Sequence, residues 1–278
     1  MFDYLYILKI NGSKRKIIDD IIDILPDNYQ ELTWVEPFLG SGVVLLNVQP
    51  NKAICGDINE VIIEIFSKLN SKEFDLDVFE ERLRYHMHML LKDKDVYYYH
   101  VRENFNRSRD IYDFIFLNKF SYNGVIRFNS NGDFNVPFGK RYCYNVDECV
   151  KIMSDKYRYV MELMSKKDWR FYTQDWLKTV SSIDKNEDVI IYLDPPYNDR
   201  NNNYYDRWDK KQDDILVDFI NNTDKKFILS TWATDNQKDN EIIKRMRDFN
   251  IRYVDHRYNV GPKRHNRYYV REVLIYNF

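Results

Sequence analysis

Cysteine is scarce: Cys55, Cys143 and Cys149 are all the 278 residues contain. They show no zinc spacing and no even disulfide set, so the expectation is a chain without a disulfide, in a reducing cytoplasm. Long hydrophobic runs are also missing; none approaches the ~20 residues of a membrane helix. The start, Met1 to Lys9, has no basic region followed by a long apolar one, so no secretory signal is expected. Charge of either sign is not in excess: the formal net charge is −2, and no global basic field announces a polyanion partner. There is no internal repeat, no low-complexity tract beyond Asn201 to Asn203, and no Ser-His-Asp order. His86 and His88 stand two apart on an expected helix and so point to different faces, which does not suit a metal site.

What is present is enough apolar material, 44% of residues, for one large α/β domain or one domain with an insertion. The stretch Val189-Ile190-Ile191-Tyr192-Leu193-Asp194-Pro195-Pro196-Tyr197 organises the rest. Its apolar run lacks polar alternation and predicts a strand buried on both faces of a parallel sheet. Proline cannot continue the ladder, so the strand ends at Asp194. Ligands of open α/β sheets sit beyond the carboxyl ends of the strands. A carboxylate, stiff carbonyls and an aromatic ring are thus placed at such an end. That set suits an exocyclic base amine, whose lone pair is delocalised into the ring. Two acceptors on the amino group favour a pyramidal nitrogen aimed at an electrophile, and prolines held at φ about −65° keep the carbonyl still. A strand-end Asp capping a turn is the plainer alternative.

Upstream, Asn11 or Ser13 is expected to cap an amphipathic helix carrying Ile17, Ile18, Ile21, Ile22 and Leu25. Thr33 to Glu36 then reads as a strand, Pro37-Phe38-Leu39-Gly40-Ser41-Gly42 as a glycine loop, and Val43 to Asn47 as a helix. The loop lacks the full dinucleotide fingerprint and a Walker lysine, so phosphate binding is not favoured. Ala53 to Asp57 forms a second strand ending in an acid, a position suited to a ribose diol or to capping a helix near Asn59. From about Lys68 to Lys166 the βα alternation stops. Helices are expected over Asp75 to Leu91, Val96 to Phe105 and Tyr112 to Phe120. A hairpin follows from Ser121 to Arg141, turning at Asn131-Gly132. Arginine, lysine, asparagine and aromatics interleave on it, as on a ribbon that reads base edges in a major groove, or simply on an exposed hairpin. The βα rhythm resumes at Trp169 to Thr173, with Asp175 close behind. Asn198 to Tyr205 reads as a lid loop, and Lys263, Arg264, His265 and Arg267 as a phosphate clamp or a solvated basic loop.

In this order the motifs resemble the Dam-type DNA adenine-N6 methyltransferases over nearly the whole chain. The resemblance is carried by Lys14, Glu36-Pro37-Phe38-Leu39-Gly40-Ser41-Gly42, Asp57, Asp175 and Asp194-Pro195-Pro196-Tyr197. Tyr122-Asn123-Gly124 through Phe134-Asn135-Val136-Pro137-Phe138-Gly139 is similar to the family's DNA-reading hairpin, and Val270 to Ile275 to its last strand. It implies a Rossmann-like α/β methyltransferase sheet of residues 1–67 and 167–278, with a helical and β-hairpin target-recognition domain, 68–166, inserted. It implies S-adenosylmethionine as methyl donor, near Ile10, Lys14, Glu36, Phe38, Gly40, Gly42, Asp57, Asp175 and Asp194. Ile10 stands where the family often has an aromatic residue. Asp194, Pro195, Pro196 and Tyr197 are the implied catalytic set. Lys9, Tyr122, Asn123, Val125, Arg127, Pro137, Lys140 and Arg141 are the implied DNA contacts, with Tyr122 wedging into the stack as the base leaves.

The expected activity is methylation of adenine N6 in duplex DNA, within GATC, by a chain that is a monomer in solution, with several copies on DNA left open. Neither metal nor membrane is expected, and the expected location is the cytoplasm and nucleoid of a bacterial or phage-infected cell. An RNA base-amine methyltransferase and a catalytically silent DNA-binding module are the alternatives. A cytosine-C5 enzyme is disfavoured, because no cysteine follows a proline in a site loop to supply the thiolate.

Overall fold

The structure is a computed structural model that describes residues 4–10, 12–196, 208–234, 240–246, 248–257 and 269–278. Tyr197, the Asn198 to Tyr205 loop, the Lys263 to Arg267 loop and Asn11, all singled out above, lie outside the described residues.

The chain opens with a 3-10 turn, Lys14–Ile17, continued by α1 (Ile18–Asp23). Ser13 precedes the turn and makes no side-chain cap bond; the other expected cap, Asn11, is not among the described residues. Then follow β1 (Thr33–Glu36), α2 (Val43–Val48), β2 (Lys52–Asp57) and α3 (Glu60–Ser71). Three further helices are α4 (Leu76–Ser108), α5 (Ile111–Phe120) and α6 (Val146–Met164). The alternation resumes as β3 (Asp168–Thr173), α7 (Trp176–Ser181), β4 (Val189–Leu193) and α8 (Lys210–Asn222). It closes with β5 (Lys226–Thr234), α9 (Glu241–Lys244), β6 (Asn250–Arg257) and β7 (Tyr269–Tyr276).

The seven strands form one sheet in the order β3-β2-β1-β4-β5-β7-β6. Pairings from β3 through β5 are parallel, whereas β7 runs antiparallel to both β5 and β6. This is a Rossmann-like sheet, as the resemblance implied. The order reverses between β1 and β4, whose registers meet at Val35 and Ile191, so a crevice opens beyond their carboxyl ends. All five residues of β4 are buried, as an unbroken apolar run requires. Trp34, Ile190, Tyr192, Ile228 and Leu274 face one core with α2, α3 and the three long helices. Val35, Ile191, Leu193, Leu229 and Ile275 face the other, beneath α7 and α8.

The helices between α3 and β3 share the first core, and the expected boundary at 67/68 falls inside α3. α4 is broken at Lys94, whose φ of 51° and ψ of −129° are not helical, so it divides much as the two expected helices do. α6 is not among the expected elements, although Val146, Val150, Met153, Tyr157, Val160 and Met164 carry its helical period. The His86 ring lies between Tyr97 Oη at 2.9 Å and Asp113 Oδ1 at 3.0 Å, joining both halves of α4 to α5.

Cys143 and Cys149 are joined in a disulfide, which corrects the expectation of none. Asn145 caps α6 through a bond from Glu148 N. The chain turns there, and the first helical turn brings the two sulfurs together, an effect of cap geometry that counting cysteines does not reveal. Cys55 is the buried free thiol.

Candidate active site

The glycine loop between β1 and α2 is held from below. Leu39 N donates to Gly56 O at 2.9 Å, and Gly40 N donates to Asp57 Oδ2 at 2.8 Å. The other oxygen of Asp57 accepts from Asn59 N at 2.8 Å. Asp57 therefore ties the loop to the entry of α3, while Asn59 itself caps that helix. Gly42 is required twice over: its φ is 64°, and a Cβ there would run into the Phe66 ring.

Beneath the loop, Glu36 is only 2% exposed and accepts from Trp34 Nε1 at 2.9 Å. Burial pushes its carboxyl up to about 8; the Trp34 bond opposes this, and the nearby Asp194 adds to it. A carboxyl raised from 4.5 in the unfolded chain to about 8 in the fold stabilises the protein fully below pH 4.5. That contribution is lost as the pH rises through 8. Glu36→Gln is neutral throughout, so without cofactor it should melt higher than the wild type at pH 8.5, by roughly a few degrees. Calorimetry across pH should show the two melting temperatures converging toward pH 4; a constant offset would show that Glu36 is not the titrating group.

Asp194 follows β4 directly. Lys14 Nζ lies 2.8 Å from Asp194 Oδ1, with side-chain exposures of 3% and 23%. Lys14 also donates to Gly12 O at 3.2 Å. Burial raises the Asp194 carboxyl, Lys14 draws it back down, and Glu272 on β7 raises it again. Sequence reasoning expected Lys14 beside a cofactor and missed both this ion pair and Glu272, which is 2% exposed. An acid at that position of an apolar strand was the available signal.

One cavity of about 570 Å3 joins these parts. Of the residues expected at a cofactor, Ile10, Lys14, Glu36, Phe38, Gly40, Asp57, Asp175 and Asp194 line it, together with Pro195 and Pro196. Gly42 lies just outside the lining. Asp175 also caps α7, accepting from Lys178 N at 3.0 Å. Two tryptophans that the sequence reading did not select complete the wall. Phe38 stacks on Trp176 with centroids 6.0 Å apart and meets the edge of Trp208 at 5.5 Å. The two indoles are fixed by Trp176 Nε1 to Gln212 Oε1 (3.2 Å) and Trp208 Nε1 to Asp213 Oδ1 (2.6 Å).

The hairpin reaches the same cavity through Val125, Ile126 and Phe128. Its arms meet at isolated bridges, Ser121 with Phe138 and Phe128 with Phe134, so it is not a continuous ladder. Asn131-Gly132 marks the turn, but the loop has three residues. Asn129 N donates to Asp133 O at 2.8 Å, and the Asn129 side chain captures the N–H groups of Asn131 and Asp133. Tyr122 is 52% exposed, and Asn123, Pro137, Lys140 and Arg141 are also exposed. Arg127 instead bonds within the hairpin, its Nε 2.6 Å from Asn135 Oδ1. Lys9 packs under Gly124, where a Cβ would overlap its own.

A family model of D12 class N6 adenine-specific DNA methyltransferases matches residues 11–260. The chain belongs to this family. It is 26% identical over 279 residues to the type II methyltransferase M.FokI of Planomicrobium okeanokoites, covering 96% of this chain and 42% of that protein. It is 33% identical over 194 residues to the DNA adenine methylase of Haemophilus influenzae, covering 68% of this chain and 63% of that protein. The modification methylase StsI of Streptococcus sanguinis is 26% identical over 280 residues, again 96% of this chain and 42% of the relative. The chain thus spans less than two thirds of the length of these relatives.

Proposed function

We propose that this chain methylates adenine N6 in duplex DNA, with the target base turned out of the stack. The observation that carries the reading is Asp194-Pro195-Pro196 facing the glycine loop across one cavity, with Lys14 and Glu36 beneath. Residues 68–166 act as the target-recognition domain, and GATC is the target that the resemblance to the Dam-type enzymes implies.

The donor set fits S-adenosylmethionine. Three carboxylates, Glu36, Asp57 and Asp175, suit its ammonium, ribose hydroxyl and base amine groups, and Ile10, Phe38 and Trp176 offer apolar walls. When bound, that cofactor supplies a methyl group on a sulfonium sulfur. The protein's part is positioning. Extruding a base costs roughly a few kcal/mol, and the apolar cavity wall and the exposed Tyr122 ring are placed to offset it. Asp194 and the Pro195 carbonyl accept from the amino group and hold its lone pair toward the glycine loop. The extra proton that N6 carries after transfer leaves to Asp194 or to water. No general base is needed before transfer, so acceleration comes from proximity and preorganised acceptors.

The test is expression in a host without adenine methylation, followed by analysis of its DNA for N6-methyladenine. Modified adenine in one sequence context, absent with Asp194→Ala, is the expected result. Methyl groups found on structured RNA and not on duplex DNA would overturn the reading.

A further inference from the structure

The strap of chain that leads into Gly12 is clasped at alternate residues by side chains of three helices. Asn47 of α2 accepts from Leu5 N at 2.9 Å and donates to Leu5 O at 2.8 Å. Tyr157 of α6 donates its hydroxyl to Ile7 O at 3.4 Å. Asn118 of α5 accepts from Lys9 N and donates to Lys9 O, both at 2.8 Å. An amide that takes both backbone groups of one residue fixes register, because a slip by one residue breaks both bonds at once. The two asparagines differ in what else they hold. Asn47 bonds back to Val43 O of its own helix at 2.6 Å. Asn118, which is 2% exposed, reaches across to Gly124 O at 3.5 Å.

Gly124 closes a turn that needs holding. Asn123 and Gly124 are both left-handed, with φ of 55° and 67°. The bonds inside the turn, Gly124 N to Ser121 O and Val125 N to Tyr122 O, are both 3.2 Å, at the long end for such bonds. The turn presents the exposed Tyr122 ring and the exposed Asn123, and Val125 directly after it lines the cavity. On the strap, Ile10 lines the same cavity one residue beyond the clasp. A Cβ on Gly124 would stand 2.5 Å from the Lys9 Cβ, so strap and turn touch with no room to spare. We propose that Asn118 is a positioning residue for target recognition, which locks strap and turn into one rigid element that reads the duplex beside the cavity. This rests on the DNA reading above and adds the residue that sets the register of the reader.

The measurement is discrimination by the full chain. It is kcat/KM for methyl transfer to a short duplex carrying the context found methylated in the expression experiment, divided by kcat/KM for the same duplex with one base pair of that context changed. One base pair read correctly is worth roughly 5- to 150-fold. In Asn118→Leu the ratio should fall to about threefold or less, with the loss on the correct duplex and little change on the altered ones. Asn47→Leu is the matched control, because it removes the same kind of clasp from the far end of the strap. α2 borders the cavity, and any effect of that variant on cofactor binding cancels in the ratio. Both variants should melt lower, by roughly a few degrees, and only Asn118→Leu should lose discrimination. Gly124→Ala presses on the same contact from the turn and should lose discrimination with Asn118 intact, so it decides the matter if Asn118→Leu does not fold. Wild-type discrimination in a folded Asn118→Leu, or in Gly124→Ala where the leucine variant does not fold, overturns the role. So does an equal loss in Asn47→Leu, which would mean that any loosening of the strap has this effect. A wild type that methylates no DNA duplex would instead sink the functional reading itself.

Discussion

Replacing Asp194 by alanine should slow methyl transfer by about 10³-fold or more while cofactor and duplex DNA still bind. The carboxylate is the charged acceptor at the crevice, held beyond the end of a fully buried strand and followed by two prolines. Alanine removes that acceptor but leaves the strand, the glycine loop and the aromatic wall in place. The loss should fall on kcat, since an amino group gripped only for reaction contributes little to ground-state affinity. Single-turnover transfer of labelled methyl groups, beside binding measurements on the same protein, checks this. Turnover within a few fold of wild type would remove Asp194 from the mechanism.

Replacing Lys14 by methionine should move the acid limb of the pH–rate profile upward. In the wild type, burial and Glu272 push the Asp194 carboxyl toward neutrality, and Lys14 opposes them at 2.8 Å. Without the ammonium, the opposing influence is gone and the raising influences remain. Each pH unit of upward shift costs roughly tenfold in ionised Asp194 at a pH below the new value. Activity should therefore drop most at low pH and recover as the pH rises. Lys14→Arg keeps the charge and should hold the limb near its original place. A uniform loss at every pH would mean that Lys14 merely supports the fold or the cofactor.

The readable parts of this chain are those in which neighbours in sequence are neighbours in space. β4 announces itself because a strand buried on both faces needs an unbroken apolar run, and Asp194 because proline ends that run. The glycine loop is legible because glycine adopts the positive φ at Gly40 and Gly42 at least cost, and at Gly42 a Cβ would also meet the Phe66 ring. The break of α4 at Lys94 falls within the gap left by the hydrophobic period. Arg127 has a partner that its position in the sequence does not announce: its Nε bonds to Asn135 on the opposite arm, a pairing set by how the hairpin closes. The disulfide escaped for a related reason, since the approach of its sulfurs depends on how α6 is capped.

By itself, the sequence determined the kinds of element, their order and the loops that can carry chemistry, because local periodicity and backbone sterics act over a few residues. The tertiary structure decided which of those loops meet. Lys14 reaches Asp194, and Phe38 meets Trp176 and Trp208, because β1 and β4 are neighbours where the strand order reverses. Strand order is set by packing both faces of the sheet at once, and no stretch of the chain encodes that alone.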